Sequence, residues 1–351
     1  MLRGSLKVVA CSVLTLSMML GVVGCNKTAA DSKNDASKAS TQAQKEATPK
    51  PTFKPDRPIT IIVNSGAGGG TDLMARSIEK VWSKYCPQPV QVVNKGGAAG
   101  VEGTLAVVHS KPDGLTLLVG YGGADLVQAH ISKMEYDILN DLAPVSRLSI
   151  NSLVLAVPAS SPYKSINEII EWSKKEKKPI TSSITLANGT VDLLVRGIGK
   201  AAGVEVTPIP TTGDAQSVTM IMGGQTVMGG ASLAGAYNQI KAGKIRPIAM
   251  ATKERDPIMP DVPTLIDQGI NFFSWGSVKG VAVAKNSSPE IVLYYEDLFK
   301  KICEDADLKK AFTDIAVPVQ YQNTADTIKF YKQAYDDFGI MVKDLGIKTE
   351  K

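Results

Sequence analysis

The chain has 351 residues, 44% of them hydrophobic and 21% charged, with a formal net charge of +5. The charge is uneven: eight of the 39 Lys/Arg and three of the 34 Asp/Glu precede Asp56, leaving 31 of each in the body. A formally neutral body argues against a nucleic-acid groove. His109 and His130 are the two histidines and neither stands near a cysteine, so a zinc site has no support.

Residues 1–25 read as an export signal. Arg3 and Lys7 form a basic head, Val8 to Val23 is apolar, and Val22-Val23-Gly24-Cys25 closes the segment. At sixteen residues the apolar run is short for a membrane span. Small residues just before a cysteine resemble the bacterial lipoprotein signal, in which Cys25 is lipidated and becomes the mature N-terminus. Val22 stands where that signal usually has leucine, and an ordinary secretory signal cut elsewhere is the competing reading. Residues 26–55 are rich in Ala, Ser, Thr, Lys and Gln and too poor in large apolar groups to fold. As a coil of about 30 residues this tether spans roughly 30 Å.

Residues 56–351 are long for one core and suit two lobes. Strand and helix signals alternate, which predicts mostly parallel sheets flanked by helices. The first unit is Ile59-Thr60-Ile61-Ile62-Val63, then the loop Gly66-Ala67-Gly68-Gly69-Gly70-Thr71-Asp72, then an apolar stripe Met74, Ile78, Val81, Trp82 at helical spacing. A helix start at the end of a strand collects backbone N–H groups and a positive dipole end, so its natural guest is an anion. Two nucleotide readings fail: the dinucleotide fingerprint needs glycine where Thr71 stands, and the phosphate-clamping loop needs a lysine that is absent.

The same device follows in Val90–Val93 with Asn94-Lys95-Gly96-Gly97-Ala98-Ala99-Gly100, and a third strand end is Val119-Gly120-Tyr121-Gly122-Gly123-Ala124-Asp125. Lys95 reads as a solvated surface lysine. Further strands are predicted at 89–93, 115–119, 145–148, 153–157, 180–183, 204–209, 226–228, 245–251 and 278–284. Further helices are predicted at 100–109, 166–175, 190–202, 215–222, 233–242, 289–304, 306–316 and 324–343, with Ile328, Tyr331, Tyr335 and Phe338 on the core side of the last. No internal repeat and no later membrane span is evident. Cys86 and Cys303 are free to pair in an oxidising compartment, or to stay reduced.

The segments Gly68-Gly69-Gly70-Thr71-Asp72, Val92-Val93-Asn94, Pro112-Asp113-Gly114-Leu115-Thr116-Leu117-Leu118, Leu142-Ala143-Pro144-Val145, Ile240-Lys241-Ala242-Gly243-Lys244-Ile245-Arg246 and Met259-Pro260-Asp261-Val262-Pro263-Thr264 carry a resemblance. Over residues 56 to about 345 the chain resembles the substrate-binding proteins of tripartite tricarboxylate transporters, the Bug family. The resemblance implies a two-lobed periplasmic-binding-protein fold of type II, an α/β architecture with residues 56–155 and 282–351 in one lobe and 156–281 in the other. The chain would cross near Val154–Pro158 and return near Gly280–Ala284. It further implies an extracytoplasmic, membrane-anchored, monomeric lipoprotein that captures a small carboxylate and passes it to a membrane permease.

Carried over by motif, the first lobe would contribute Ser65, Gly66, Ala67, Gly68, Gly69, Gly70, Thr71, then Gly97, Ala98, Ala99, Gly100, then Tyr121, Gly122 and Gly123. The second would contribute Asn188, Gly189, Thr190, Thr212, Gly213 and Asp214, with Asp192, Ala231 and Ser232 in reach. The family's opening proline is absent, Asp192-Leu193 replace a usual Gln-His pair, and Asp214 replaces a small residue. Two readings of these acids stay open. Asp72, Asp125, Asp192 and Asp214 stabilise helix N-termini, or Asp192 or Asp214 receives the ammonium or hydroxyl of an amino or hydroxy acid. No catalytic set, metal or cofactor is predicted. A lipoprotein that signals ligand binding to a membrane kinase has the same residues as one that feeds a permease.

Overall fold

The structure, a computed structural model, describes residues 52–97, 100–272 and 274–350, so the expected signal, most of the tether, Cys25, Ala98 and Ala99 lie outside the described residues. The described body holds two five-stranded sheets. The first takes β1 (Ile59–Val63), β2 (Val90–Asn94), β3 (Thr116–Gly122), β4 (Leu142–Asn151) and β10 (Ser277–Ala284), in the order β2-β1-β3-β10-β4. The second takes β5 (Leu153–Pro158), β6 (Ile180–Ile184), β7 (Val206–Pro210), β8 (Met228–Ser232) and β9 (Ile245–Met250), in the order β7-β6-β8-β5-β9. Ten helices connect them: α1 (Gly70–Trp82), α2 (Val101–Val108), α3 (Gly123–Ile131), α4 (Ile166–Glu176), α5 (Thr190–Ala202), α6 (Asp214–Met222), α7 (Leu233–Lys241), α8 (Pro289–Glu304), α9 (Ala306–Asp314) and α10 (Thr324–Asp344).

Each sheet carries one strand against the rest. β10 is antiparallel to β3 and β4, and β5 is antiparallel to β8 and β9. In both cases the reversed strand is the one that arrives from the other lobe. The two strand orders therefore match element for element, with β1, β2, β3, β10 and β4 equivalent to β6, β7, β8, β5 and β9. The fold is an internal repeat, contrary to expectation, because the repetition lies in topology and in a few turn residues rather than in long sequence identity.

Both faces of each sheet are covered, which explains strands that read as almost unbroken apolar runs. On one face of the first sheet, Trp82, Tyr295, Phe299 and Phe312 pack against Ile59, Ile61 and Val63. On the other, Tyr121, Tyr331 and Phe338 pack against Ile62 and Leu118. Cys86 and Cys303 are buried free thiols in the first of these clusters, and burial pushes the Cys303 thiol up to about 12.

Three expectations change. β3 runs straight into α3, a helix absent from the prediction, because Gly122 at φ 103° turns strand into helix with no connecting residue between them. The core side of α10 is Thr327, Tyr331, Ala334, Phe338 and Val342, whereas Ile328 is 50% exposed. The chain leaves the first sheet at Ser152 and returns before Ser277, so Val154–Pro158 and Gly280–Ala284 lie inside strands of single sheets rather than at crossings. The two crossings lie side by side: Asn151 is in register with Ser277, and Gly276, at φ 81°, would bring a Cβ to 2.7 Å from the Asn151 carbonyl oxygen.

Two glycine substitutions separate strain from collision. A Cβ at Gly122 would run into the Tyr331 ring, while Gly203, at φ 66°, has open space around it. Gly122→Ala is expected to destabilise by about 3 kcal/mol through left-handed strain plus overpacking, and Gly203→Ala by roughly 1 kcal/mol through strain alone. Thermal unfolding of both variants checks the ranking.

Candidate functional site

The helix starts fall into two groups. α4, α7, α8, α9 and α10 begin at Ser165, Ser232, Ser288, Asp305 and Asn323, each of whose side chains accepts a hydrogen bond from the backbone N–H three residues on. α1, α2, α3, α5 and α6 begin at Gly69, Gly100, Gly122, Gly189 and Gly213, and none of these has a side chain to do so. A glycine cap leaves first-turn donors and the positive dipole end without an acceptor of their own.

Four of the five glycine-capped starts meet at one cavity of about 50 Å³ between the sheets. Gly69 and Thr71 come from α1, Gly123 and Ala124 from α3, Gly189 and Thr190 from α5, and Gly213 and Asp214 from α6. Asn64, Ser65 and Gly120 close the first-lobe side, Thr185 and Leu186 the second-lobe side, and Ser277 and Lys279 the floor on β10.

Around these starts the two lobes use the same acid. Asp72 Oδ2 accepts from the Gly68 N–H at 2.8 Å, and the Asp72 carboxylate pairs with Arg76 at 3.0 Å. Asp192 Oδ2 accepts from the Asn188 N–H at 2.9 Å, and its Oδ1 pairs with Arg196 at 2.6 Å. Gly68 and Asn188 both sit at positive φ, 76° and 54°, so the turns match as well. These two carboxylates fold a turn back on a helix and do not line the cavity.

Asp214 has a different task. Its Oδ2 accepts from the Gly70 N–H of the other lobe at 3.0 Å and from Ser232 Oγ at 2.6 Å, while Oδ1 accepts from the Ser232 N–H at 2.9 Å. Nearby, the Gly66 N–H donates to the Thr212 carbonyl at 3.3 Å, a second backbone link between lobes. Glycine is needed for this approach, since a Cβ at Gly70 would stand 2.6 Å from Ser232 Oγ. Asp125 sits behind the cavity wall, fully buried, accepting from Asn64 Nδ2, Thr104 Oγ1 and Tyr136 OH at 3.0, 3.1 and 2.5 Å. Burial raises its pKa and the three donors oppose that rise.

Several expectations are corrected by this geometry. The N–H groups of Gly66, Gly68 and Gly70 are engaged within the protein, so the first loop offers a ligand Ser65, Gly69 and Thr71 rather than its whole length, with Ala67 outside the lining. Of the second loop, Gly97 and Gly100 are absent from the cavity lining, and the Gly100 N–H donates to the Gly96 and Gly97 carbonyls. The Tyr121 side chain points into the core, where its hydroxyl donates to the Ile138 carbonyl at 2.9 Å. Asn188, Gly122, Thr212, Ala231 and Ser232 are likewise absent from the lining. Asp192 is absent from the cavity lining, and Asp214, which is in it, already accepts from three donors within the protein. Lys95 is exposed as expected.

Motif reasoning missed Asn64, Gly120, Thr185, Leu186 and Ser277 in the lining, and with them Lys279. It is 7% exposed, lines the cavity, and donates from Nζ to Thr71 Oγ1 at 2.5 Å. Burial lowers its pKa, and the field of Asp214 raises it.

The family model for tripartite tricarboxylate transporter family receptors matches residues 74–347. The UPF0065 protein in the gbd 5' region of Cupriavidus necator is 28% identical over 298 residues, covering 84% of this chain and 89% of the relative. Protein BugT of Bordetella pertussis is 27% identical over 298 residues, covering 84% and 91%. A solved structure of a periplasmic transporter superposes with a TM-score of 0.76 at 27% identity, over 84% of this chain and 99% of that one.

The contact at Gly70 gives a test of the closed arrangement. Gly70→Ala should hold the lobes apart and break the Asp214 bond, so small-angle scattering is expected to give a larger radius of gyration than for the wild type. Asp214→Ala, which removes the acceptor without adding bulk, should expand the molecule likewise and cost about 2–4 kcal/mol in stability.

Proposed function

This chain belongs to the tripartite tricarboxylate transporter family of receptors, and on that premise we propose that it is an extracytoplasmic solute-binding protein that encloses a small carboxylate between its lobes and delivers it to a membrane permease. The observation that carries this reading is the meeting of four glycine-capped helix starts at one cavity shared by both lobes. Such a site presents main-chain donors and positive dipole ends to whatever enters, and a carboxylate satisfies both.

The magnitudes are sufficient. Hydrogen bonds to a charged acceptor contribute about 1.5–3 kcal/mol each, so four supply roughly 6–12 kcal/mol before ordering losses. Micromolar affinity needs about 8 kcal/mol. Donors from both lobes also favour closure, because the ligand gains its full set of bonds only when the lobes meet. The cavity lining contains no cysteine or histidine, and its one carboxylate, Asp214, is bound by three donors, which suits a carrier that returns its ligand unchanged.

In this reading residues 1–25 direct export, Cys25 carries the lipid, and the tether holds a monomeric body clear of the membrane. Several acyl chains at about 0.8 kcal/mol per buried methylene make that attachment nearly permanent.

Calorimetric titration with succinate, glutamate, tartrate and citrate tests the carboxylate assignment. At least one is expected to bind at micromolar Kd, and heat from none of them, with the protein folded, overturns it. Cell fractionation tests the anchor: the wild type is expected with membranes and Cys25→Ser in the soluble extracytoplasmic fraction.

A further inference from the structure

We propose that Lys279 is the charged receptor of the site, binding one carboxylate of the ligand through its ammonium group; this rests on the carboxylate reading above. Lys279 is the one buried lysine among the described residues. An ammonium held out of water needs partners, and the penalty for lacking them is several kcal/mol. It carries three N–H donors, and among the described residues its hydrogen-bond partner is Thr71 Oγ1. The nearest relevant acid, Asp214, already holds Gly70 and Ser232 with both oxygens. Two N–H donors therefore remain for the cavity that Lys279 lines, alongside the start of α1.

The internal repeat shows that the fold does not require this charge. Lys279 on β10 is in register with Gly122, the last residue of β3. The equivalent place in the second sheet is Leu153 on β5, in register with Ser232, the last residue of β8, and Leu153 is 1% exposed. One topological position thus holds a buried leucine in one lobe and a buried ammonium in the other. A side chain present for packing alone would be apolar in both. The asymmetry also orients the ligand, whose carboxylate faces the first lobe at Lys279 and Thr71.

Lys279→Met keeps length and volume and removes the charge. Calorimetry with whichever of succinate, glutamate, tartrate and citrate the wild type binds is expected to show affinity reduced roughly 10- to 100-fold. Thermal unfolding without ligand is expected to show the Met variant at least as stable as the wild type, an outcome a purely structural lysine would not give. Should Lys279→Met fold poorly, amine acetylation of the wild type read by mass spectrometry replaces it, with ligand expected to protect Lys279 while exposed lysines react as before. Binding by the Met variant within threefold of wild type, or unchanged acetylation of Lys279 in the liganded protein, overturns the role of Lys279 and leaves the carboxylate reading intact. Failure of the wild type to bind any of the four acids overturns the carboxylate reading, and this inference with it.

Discussion

The first turn of every helix has N–H groups without intrahelical acceptors, and this protein divides its helices by how that demand is met. Five helices meet it with a serine, aspartate or asparagine side chain at the cap. Five begin with glycine, and four of these meet between the sheets. Glycine does two things there. It offers the first-turn donors no capping side chain of their own, and it lets the lobes approach closely at Gly66 and Gly70, where a Cβ would stand 3.0 Å and 2.6 Å from atoms of the other lobe. On the proposed reading, anion affinity and lobe closure share one cause, the missing side chain.

The acids near the cleft protect that arrangement rather than compete with it. Asp72 and Asp192 tie their turns to their own helices and are neutralised by Arg76 and Arg196 one turn on. Asp214 holds the lobes together by taking a donor from across the gap. Without these partners, each carboxylate would offer an anion a repulsive neighbour. With them, the positive character of the helix starts is preserved and Lys279 contributes the site's buried cation.

Much of this was legible locally. Among the described residues, nine of the ten strands and nine of the ten helices overlap segments of apolar periodicity and turn chemistry, as at Thr190–Ala202 and Pro289–Glu304, where predicted and observed limits agree, while β8 (Met228–Ser232) begins where the predicted 226–228 strand ends. The glycine loops pointed to an anion, and the matching segments to the family. What escaped depended on distant pairing. Lys279 sits in a strand whose residues alternate between faces, and nothing near it in sequence says that its face meets α1 two hundred residues earlier. Gly97 and Gly100 read like the glycines of the first loop, yet in the folded chain neither lines the cavity, and Gly96 and Gly100 pack against Gly66 and Asn64 instead. The repeat was hidden because its copies share topology and a turn-acid-arginine device, while the core residues between them vary.

The paired crossings at Asn151 and Gly276–Ser277 have a consequence for traffic through the molecule. Two chain segments in register form a ribbon, and a ribbon bends more readily than it twists or shears. On the proposed reading the lobes, joined along this spine like the covers of a book, would part along the opposite edge. A solute would then enter and leave by the same side.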